Sequence, residues 1–228
     1  MGWPLAASPE GFIPPGGCAR SSCRAWCDGS DVVVSQDRPR DSLTRAVSFY
    51  DRGISAQRFV TIMIQPGQPL PDATLYEFFE VEKDGCALGP NAFSVSLLAE
   101  DKTIVIFGLP GAFTPTCSAR HVPGYVTNYD ALRAKGIDEI WCVSVNDAFV
   151  MGAWARTQGS DGKVRMLADG SAEFTRKLGL EQDLTKRGMG VRSQRYAMVV
   201  KNGVVTALQV EAPGQFTVSD AESILAIL

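Results

Sequence analysis

The chain has 228 residues, of which 45% are hydrophobic and 21% charged, a composition that is ordinary for a globular protein with one good core and an appendage. A net charge of −3 gives no reason to expect nucleic acid or an anionic membrane surface as a partner. No apolar stretch approaches the ~18–20 residues that span a bilayer, and the single histidine, His121, excludes a histidine-rich metal site.

The first 62 residues differ in composition from the rest of the chain. They contain seven arginines and no lysine, together with two Gly/Pro-rich patches. Three interpretations are open: a cleaved targeting peptide, a disordered extension, or sequence upstream of a true start at Met63. Acidic residues, which targeting peptides avoid, favour the last two, so we expect an extension over 1–62, a compact domain over 63–228 and a cytoplasmic protein. A targeting peptide would instead place the protein in an organelle.

From residue 63 onward, strand and helix patterns alternate densely. Strands are predicted at 74–81, 92–98, 103–109, 139–145, 164–167, 195–200 and 204–210. Helices are predicted at 117–135, 146–156, 172–178 and 219–228. The first two strands are expected to form a hairpin around a Lys-Asp-Gly turn at 83–85. The last two should form a hairpin around Asn-Gly at 202–203, the strongest short hairpin signal.

Local signals mark where the predicted helices begin and end. In the helix over 117–135, Pro123 is expected to bend the backbone and Gly136 to close it. Asn146 is the expected N-cap of the next helix, and the Ser-x-x-Glu run from Ser219 is a capping box for the last. The resulting order predicts a thioredoxin-like α/β fold, with a central mixed sheet flanked by helices and an added N-terminal β-hairpin.

The six cysteines are too few for a disulfide scaffold, and no two of them form a Cys-x-x-Cys pair. Cys18, Cys23 and Cys27 lie in a Gly/Ser/Arg-rich segment without an obvious fourth ligand, so incidental cysteines are favoured over a zinc site. Cys86 is interpreted as structural or incidental. We therefore expect no bound metal or cofactor.

Residues 110–117 read Pro-Gly-Ala-Phe-Thr-Pro-Thr-Cys and place a cysteine at the start of a helix that follows a buried strand. Thr114 is a good N-cap and Pro115 suits the first helical position, so that Cys117 falls at the third. The unpaired N–H groups of a first turn and the helix dipole both favour an anion there. We therefore expect Cys117 to lose its proton more readily than a free thiol and to act as a nucleophile.

The run Pro-x-x-x-Thr-x-x-Cys that ends at Cys117 resembles the peroxidatic motif of the peroxiredoxins. Longer strings are similar to the peroxiredoxin-5 or type II subfamily, and they lie at 110–118, 121–125, 145–154 and 195–203. The resemblance covers 63–228. It implies a thiol peroxidase that reduces hydrogen peroxide and alkyl hydroperoxides.

The same resemblance implies roles for individual residues. Cys117 would attack a peroxide oxygen and become a sulfenic acid. Thr114 and Arg195 would donate hydrogen bonds to the polarised peroxide, and Pro110 would shield the pocket from water. A plain N-cap is the alternative for Thr114. Arg192 is the alternative arginine, but only Arg195 directly precedes a strand as the arginine of the family does.

His121 lies four residues after Cys117, near the same helical face. A general base of a Cys-His pair is one interpretation. The family carries a histidine here without needing a base, so packing or polar support is favoured.

Cys142 lies 25 residues after Cys117, where the plant type II proteins carry their resolving cysteine. A small buried strand residue is the alternative. The other pattern of the family, a cysteine in the last loop before the terminal helix, is absent from 211–219. Bridging Cys117 and Cys142 would require the first helical turn to unwind if their Cα atoms lie more than ~7 Å apart. Without Cys142, an external thiol such as glutathione would resolve the sulfenic acid.

The resemblance also implies partners: peroxide substrates, a reductant that is either glutaredoxin with glutathione or thioredoxin, and a second copy in a homodimer through the face near the active site. Two other functions stay open. A thioredoxin-like disulfide oxidoreductase is weakened because Thr114 stands where its Cys-x-x-Cys motif would begin. A non-enzymatic redox sensor would use the oxidised thiol as its signal.

Overall fold

The computed structural model describes residues 62–78 and 89–228, and the following bounds refer to them. The strands are β1 (Thr74–Glu77), β2 (Asn91–Ser94), β3 (Thr103–Leu109), β4 (Glu139–Ser144), β5 (Arg165–Ala168), β6 (Glu181–Asp183), β7 (Val191–Ser193), β8 (Tyr196–Lys201) and β9 (Val204–Val210). The α-helices are α1 (Val95–Ala99), α2 (Val122–Thr127), α3 (Tyr129–Ala134), α4 (Ala148–Gln158), α5 (Glu173–Lys177) and α6 (Ala221–Ile227). A π-helical turn (Cys117–His121) precedes α2, and a 3-10 turn (Thr185–Arg187) follows β6.

Seven strands form one mixed sheet in the order β2-β1-β5-β4-β3-β8-β9. The three central neighbours β5, β4 and β3 are parallel, whereas β1 and β8 flank them in antiparallel pairing. Strands β6 and β7 pair separately as a two-stranded sheet. The thioredoxin-like mixed sheet with an antiparallel C-terminal edge is confirmed. No helix among the described residues is both long and apolar enough to cross a membrane.

The two faces of β3 support two hydrophobic clusters. Val105 and Phe107 pack in the first cluster, which also contains Cys117, whereas Ile104 and Ile106 pack in the second. Both faces of β3 are buried because helices cover a central parallel strand on each side, which explains its continuous apolar run. Each such side chain contributes about 1.5–3 kcal/mol by its removal from water.

The first hairpin forms, with Thr74 opposite Ser94. Its predicted turn at 83–85 lies outside the described residues. Its second strand is shorter than predicted, because β2 ends at Ser94 and α1 begins at the next residue. The Ser94 side chain accepts a hydrogen bond from the N–H of Leu97, so this serine caps a helix where continued strand was expected.

The predicted helix over 117–135 is divided into the π-helical turn, α2 and α3. Pro123 lies in the first turn of α2, where a missing N–H costs no helical bond, so the main interruption comes at Asn128 instead. Asn128 has φ −90° and ψ 9°, and its side chain donates to the carbonyl of Gly124. Gly136 follows α3 with φ +90°, as expected of a residue that closes a helix.

Two predicted N-caps are wrong by one residue. Asp147, not Asn146, caps α4 by accepting from the N–H of Val150, and Asp220, not Ser219, caps α6. Asn146 and Ser219 bind other parts of the molecule, as described below. The second hairpin is confirmed, with Asn202 at φ 48° and Gly203 at φ 73° in its two-residue turn.

Candidate active site

Cys117 lies just after the loop that leaves β3, at the third residue of helical backbone. The Thr114 carbonyl accepts the first helical hydrogen bond, from the N–H of Ser118 at 3.0 Å, and helical geometry begins at Pro115. The Cys117 side chain is fully buried. The predicted position of this cysteine, third in its helix, is confirmed.

The turn that carries Cys117 is wider than an α-helical turn. The N–H of Val122 bonds to the carbonyl of Cys117, five residues earlier, and residues 117–121 form a π-helix. Such single π-turns are rare and occur frequently at functional sites. Trp154 on α4 supports this turn from the side, since its indole N–H donates to the Ser118 hydroxyl at 3.1 Å.

The guanidinium of Arg195 connects Cys117 with His121. Its Nη2 donates to the Cys117 Sγ at 3.4 Å, and its Nη1 lies 2.9 Å from the Nδ1 of His121. Arg192 has other partners, because its Nε donates to the carbonyl of Met189 at 2.8 Å and its Nη1 to that of Val145 at 2.9 Å. The structure thus places Arg195, not Arg192, against the sulfur.

The contacts of His121 determine which of its ring nitrogens carries the proton. An arginine can only donate, so the Nδ1 that faces Arg195 accepts, and Nε2 donates to the carbonyl of Ser219 at 3.0 Å. Burial, reinforced by the positive charge of Arg195, lowers the pKa of His121 to about 3. A neutral ring with both nitrogens engaged has no free site for a proton from Cys117, which agrees with polar support and not with a general base.

The Thr114 hydroxyl donates to the carbonyl of Gly111 at 2.8 Å. Its proton is therefore committed within the loop, and its lone pairs are left to accept from a bound molecule. This differs from the expected donor role. Pro110 is half-buried at the end of β3.

Asn146 anchors the loop before Cys117, a role that sequence reasoning missed. Its Oδ1 accepts from the backbone N–H of Ala112 at 3.0 Å and from the Ser144 hydroxyl at 2.8 Å. Phe113, which follows Ala112 in this loop, adopts φ 59°, a left-handed conformation that is uncommon for a bulky side chain. The position of Asn146 directly after a strand is the one signal for this role in the sequence, and it equally indicates a helix cap.

Phe216 is a second residue at this site that the sequence did not indicate. Its ring centroid lies 4.9 Å from that of His121, at a steep angle. The guanidinium carbons of Arg120 and Arg195 lie 4.9 and 5.5 Å from the same ring. Such cation–π contacts hold a positive charge against an aromatic face. No local pattern around residue 216 predicts this packing.

Cys142 lies on β4 between β3 and β5, opposite Phe107 and Met166. It is fully buried and belongs to the same hydrophobic cluster as Cys117. Burial raises the pKa of the Cys142 thiol well above its usual value. Both cysteines are free thiols in this structure, and Cys18, Cys23, Cys27 and Cys86 lie outside the described residues.

The described residues contain no group of three or more His, Cys, Asp or Glu side chains that could hold a metal ion. The site contains the buried sulfur of Cys117, the cationic donor Arg195 beside it, and the neutral ring of His121, which orients that donor. This is an arrangement suited to nucleophilic chemistry of a thiolate.

Residues 65–225 match the family model of Redoxin. Peroxiredoxin-2C of Arabidopsis thaliana is 48% identical over 165 residues, which cover 72% of this chain and 98% of that protein. The solved structure of reduced Prx3 from Vibrio vulnificus in complex with hydrogen peroxide is 52% identical, with a TM-score of 0.66, and the match covers 72% of this chain and 99% of the other.

A structure from Burkholderia cenocepacia is 67% identical with a TM-score of 0.70, and the match covers 73% of this chain and 99% of the other. That protein was provisionally named a thioredoxin reductase.

In this chain, Thr114 occupies the place where a thioredoxin-type Cys-x-x-Cys motif would have its first cysteine. The chain therefore belongs to the redoxin family and, within it, to the type II or peroxiredoxin-5 group of peroxiredoxins, which are thiol peroxidases.

Proposed function

We propose that Cys117 is the peroxidatic nucleophile of this peroxiredoxin and that Arg195 stabilises the charge that develops on the peroxide. The observation that carries this proposal is the 3.4 Å hydrogen bond from Arg195 Nη2 to the Cys117 Sγ. A donor beside the sulfur is also beside the peroxide oxygens that must approach it. Burial raises the pKa of the thiol of Cys142, the other described cysteine, and so disfavours the thiolate that the reaction needs.

The reaction begins with attack of the Cys117 thiolate on one peroxide oxygen. An S–O bond forms, the O–O bond breaks, and the departing oxygen leaves as hydroxide or alkoxide and takes up a proton. The products are the sulfenic acid of Cys117 and water or an alcohol. Negative charge grows on the departing oxygen, and the guanidinium of Arg195 is positioned to stabilise it.

We assign the Thr114 hydroxyl to orienting the peroxide. Because its proton goes to the Gly111 carbonyl, its lone pairs can accept from the O–H of the peroxide. Donation to the O–O bond is then left to Arg195 and to backbone N–H groups near Cys117. Pro110, at the mouth of the loop, shields the pocket from water.

The central claim is tested by comparing Cys117→Ser with Cys142→Ser. We expect Cys117→Ser to abolish hydrogen peroxide consumption, because a serine hydroxyl is not ionised at neutral pH and does not form a stable oxidised product. Cys142→Ser should retain the first oxidation step at a rate near that of the wild type. Circular dichroism checks that both variants fold. Loss of the nucleophile should lower the rate of peroxide consumption by far more than about tenfold. A Cys117→Ser rate within about tenfold of the wild-type rate would therefore contradict the assignment.

We infer that Cys142 resolves the sulfenic acid of Cys117. Attack of the Cys142 sulfur on the oxidised sulfur forms the disulfide and releases the sulfenic oxygen as water. Membership of both cysteines in one cluster supports a short path between them. The reductant that follows is thioredoxin, or glutaredoxin with glutathione if the external thiol attacks the sulfenic acid directly.

We propose a homodimer through the face that surrounds the active-site loop. Phe113 on that loop is 55% exposed and Phe149 on α4 is 56% exposed. Exposed apolar patches mark interaction surfaces, and both side chains are associated with α4, since the ring of Phe113 lies 6.2 Å from that of Trp154 on this helix.

We further propose that 63–228 forms the catalytic domain, 1–62 being an extension, and that the protein is cytoplasmic. The family match begins at residue 65, close to the proposed boundary. An organelle is the alternative location, since two relatives from Arabidopsis are named chloroplastic and mitochondrial.

A further inference from the structure

The carboxylate of Glu211, just after β9, takes part in none of the steps above. Its side chain is almost fully buried, and the residue is 6% exposed. One of its oxygens accepts from the backbone N–H groups of Thr217, Val218 and Ser219, at 2.7, 2.8 and 2.9 Å, and from the Ser219 hydroxyl at 2.9 Å. Three successive N–H groups on one carboxylate oxygen fix the conformation of this segment.

The same segment presents a carbonyl to the active site. The carbonyl of Ser219 accepts from the Tyr125 hydroxyl at 2.9 Å and from His121 Nε2 at 3.0 Å, and all three residues are buried. The other nitrogen of His121 accepts from Arg195, whose second guanidinium nitrogen contacts Cys117. The position of Ser219 therefore determines where the ring of His121 holds the arginine.

Glu211 also holds Arg195 through the main chain. The pairing of β8 with β9 places Tyr196 opposite Val210, so Arg195 and Glu211 lie next to each other beyond the end of the ladder. The N–H of Glu211 donates to the carbonyl of Arg195 at 2.9 Å. Both the backbone and the guanidinium of Arg195 are thus tied to one residue, the first directly and the second through Ser219 and His121.

We propose that Glu211 is a positioning residue for the peroxidase reaction, which holds the guanidinium of Arg195 against Cys117 by fixing the 217–219 segment. The proposal rests on the proposed function of Arg195 and Cys117. Glu211 contacts neither the sulfur of Cys117 nor its guanidinium partner through its side chain, so its effect on the reaction is expected to pass through the 217–219 segment. The contacts require one acceptor oxygen at this point, so we expect a neutral side chain with an oxygen in the same place to fulfil most of the role.

A double-mutant cycle separates this role from ordinary structural support. The measurement is the rate at which excess hydrogen peroxide oxidises reduced Cys117 in a single turnover, in the full chain. We expect Glu211→Ala to slow it by about tenfold or more, as the loss of an oriented donor does. In an Arg195→Ala background the same change should cost less than about twofold, because the group that Glu211 positions is already gone.

Glu211→Gln is the matched control. Its side-chain oxygen can still accept from the three N–H groups, and its amide can donate to the Thr217 hydroxyl, which accepts in place of donating. We expect it to recover most of the rate. If Glu211→Ala does not fold, Glu211→Asp, which keeps the charge but is one methylene too short to reach every donor, should show an intermediate loss in the same cycle.

Three results would overturn the inference. One is an equal loss from the Glu211 variants with and without Arg195, and another is a Glu211→Ala rate within about twofold of the wild type. The third is a parallel fall in peroxide oxidation and in alkylation of Cys117 by iodoacetamide, which indicates a general loss of structure. If Arg195→Ala itself leaves the peroxide rate unchanged, the proposed function of Arg195 has failed, and the assay shows this separately.

Discussion

The guanidinium of Arg195 donates two hydrogen bonds that differ in kind, one to the sulfur of Cys117 and one to the ring of His121. A carboxylate partner would offset the charge of the guanidinium, whereas His121 is a neutral acceptor. The ring therefore orients Arg195 without reducing its electrostatic effect. Arg195 is half-buried and Cys117 is fully buried, so water screens this effect less than it does at the surface.

We expect Arg195→Ala to slow the oxidation of Cys117 by about 100-fold, the order of effect seen when one donor to a developing oxyanion is removed. Arg192→Ala is the matched control, since Arg192 contacts the carbonyls of Met189 and Val145 and not the sulfur. We expect Arg192→Ala to lower the rate of Cys117 oxidation much less than Arg195→Ala does. Stopped-flow measurement with excess hydrogen peroxide compares the two variants, and a larger loss from Arg192→Ala would show that the wrong arginine has been assigned.

His121 should make the protein less stable in mild acid. Its pKa is about 3 in the folded state, because of burial and of Arg195, and 6.5 in the reference state, so between these values the unfolded chain binds more protons. The free energy of unfolding must then fall as the pH drops through this window, by up to about 1.4 kcal/mol per pH unit. Glu211 and Asp220, the acidic groups that act on the ring, reduce this effect but do not reverse it.

The test is denaturant unfolding of the wild type and His121→Gln at several values between pH 6.5 and 4. Glutamine can accept and donate without titrating, so its free energy of unfolding should decline less steeply with acidification. The other titrating groups are shared and cancel in the comparison. Equal slopes for the two proteins would mean that His121 is already protonated in the folded state.

Single residues were predictable from the sequence when their signal was local. Cys117 follows directly from its place after a buried strand and a Thr-Pro pair, whereas Arg195 is indicated by the resemblance to the family, whose arginine also directly precedes a strand. Glu211 could not be found in this way, because it acts on Arg195 and Cys117 through other residues. Ser219 and His121, which connect them, are 98 residues apart in the sequence. The direction of the Thr114 hydrogen bond likewise depends on the fold of the loop, which composition does not specify.

At the scale of elements, the π-helical turn and β4 hold the two described cysteines in different ways. Strand β4 is hydrogen-bonded on both sides, by β3 and β5, and it has little freedom to move. The π-helical turn is attached by side chains, through Ser118 to Trp154 and through His121 to Ser219. If a disulfide forms between them, the turn is the element that must rearrange.

We expect one equivalent of hydrogen peroxide to produce a Cys117–Cys142 disulfide in the wild type. In Cys142→Ser the sulfenic acid should persist and be oxidised further to sulfinic acid by excess peroxide. Recycling by thioredoxin should fall more than recycling by glutathione with glutaredoxin, which needs no second cysteine in the protein.

Non-reducing peptide mapping by mass spectrometry measures the disulfide. Absence of the linked peptide, together with equal thioredoxin-dependent turnover in the wild type and in Cys142→Ser, would reassign Cys142 to the core. The enzyme would then use one cysteine.

The sequence predicted β3, β4, β8 and β9 to within about a residue, because each is an apolar run with clear turn signals at its ends. It did not predict β6 and β7, which are three residues each and largely polar, so they carry no periodicity. The caps of α4 and α6 were displaced by one residue because two capping side chains stand next to each other in both places. Long-range contacts with Ala112 and Glu211 decide which one of each pair caps the helix.

At the scale of the whole molecule, we expect a chain shortened to begin at Met63 to fold and to reduce peroxide like the full chain. Every residue assigned to the reaction lies beyond this point. Ile64 is 5% exposed and its N–H donates to the carbonyl of Leu178 at 2.9 Å, so the domain needs the residues just after Met63. Thermal unfolding and peroxide consumption measure the comparison.

A chain that begins at Pro71 is the matched control for this truncation. It lacks the segment in which the N–H groups of Gly67 and Leu70 donate to the carbonyls of Val205 and Gly203. We expect its unfolding temperature to fall, because buried Ile64 and Leu70 are lost as well. Loss of folding or activity on shortening to Met63 itself would show that part of 1–62 belongs to the domain.

The burial of both described cysteines in one hydrophobic cluster links catalysis to the rigidity of the whole fold. Under the proposed cycle, Cys142 can attack the sulfenic acid only after the π-helical turn opens. Until then, a second peroxide molecule can oxidise the sulfenic acid to sulfinic acid. The ratio of the opening rate to the rate of this second oxidation sets a peroxide concentration above which the enzyme inactivates itself. A substitution that stabilises the closed turn should therefore raise the melting temperature and lower that peroxide concentration. Thermal stability and resistance to inactivation by peroxide are thus expected to change in opposite directions in this protein.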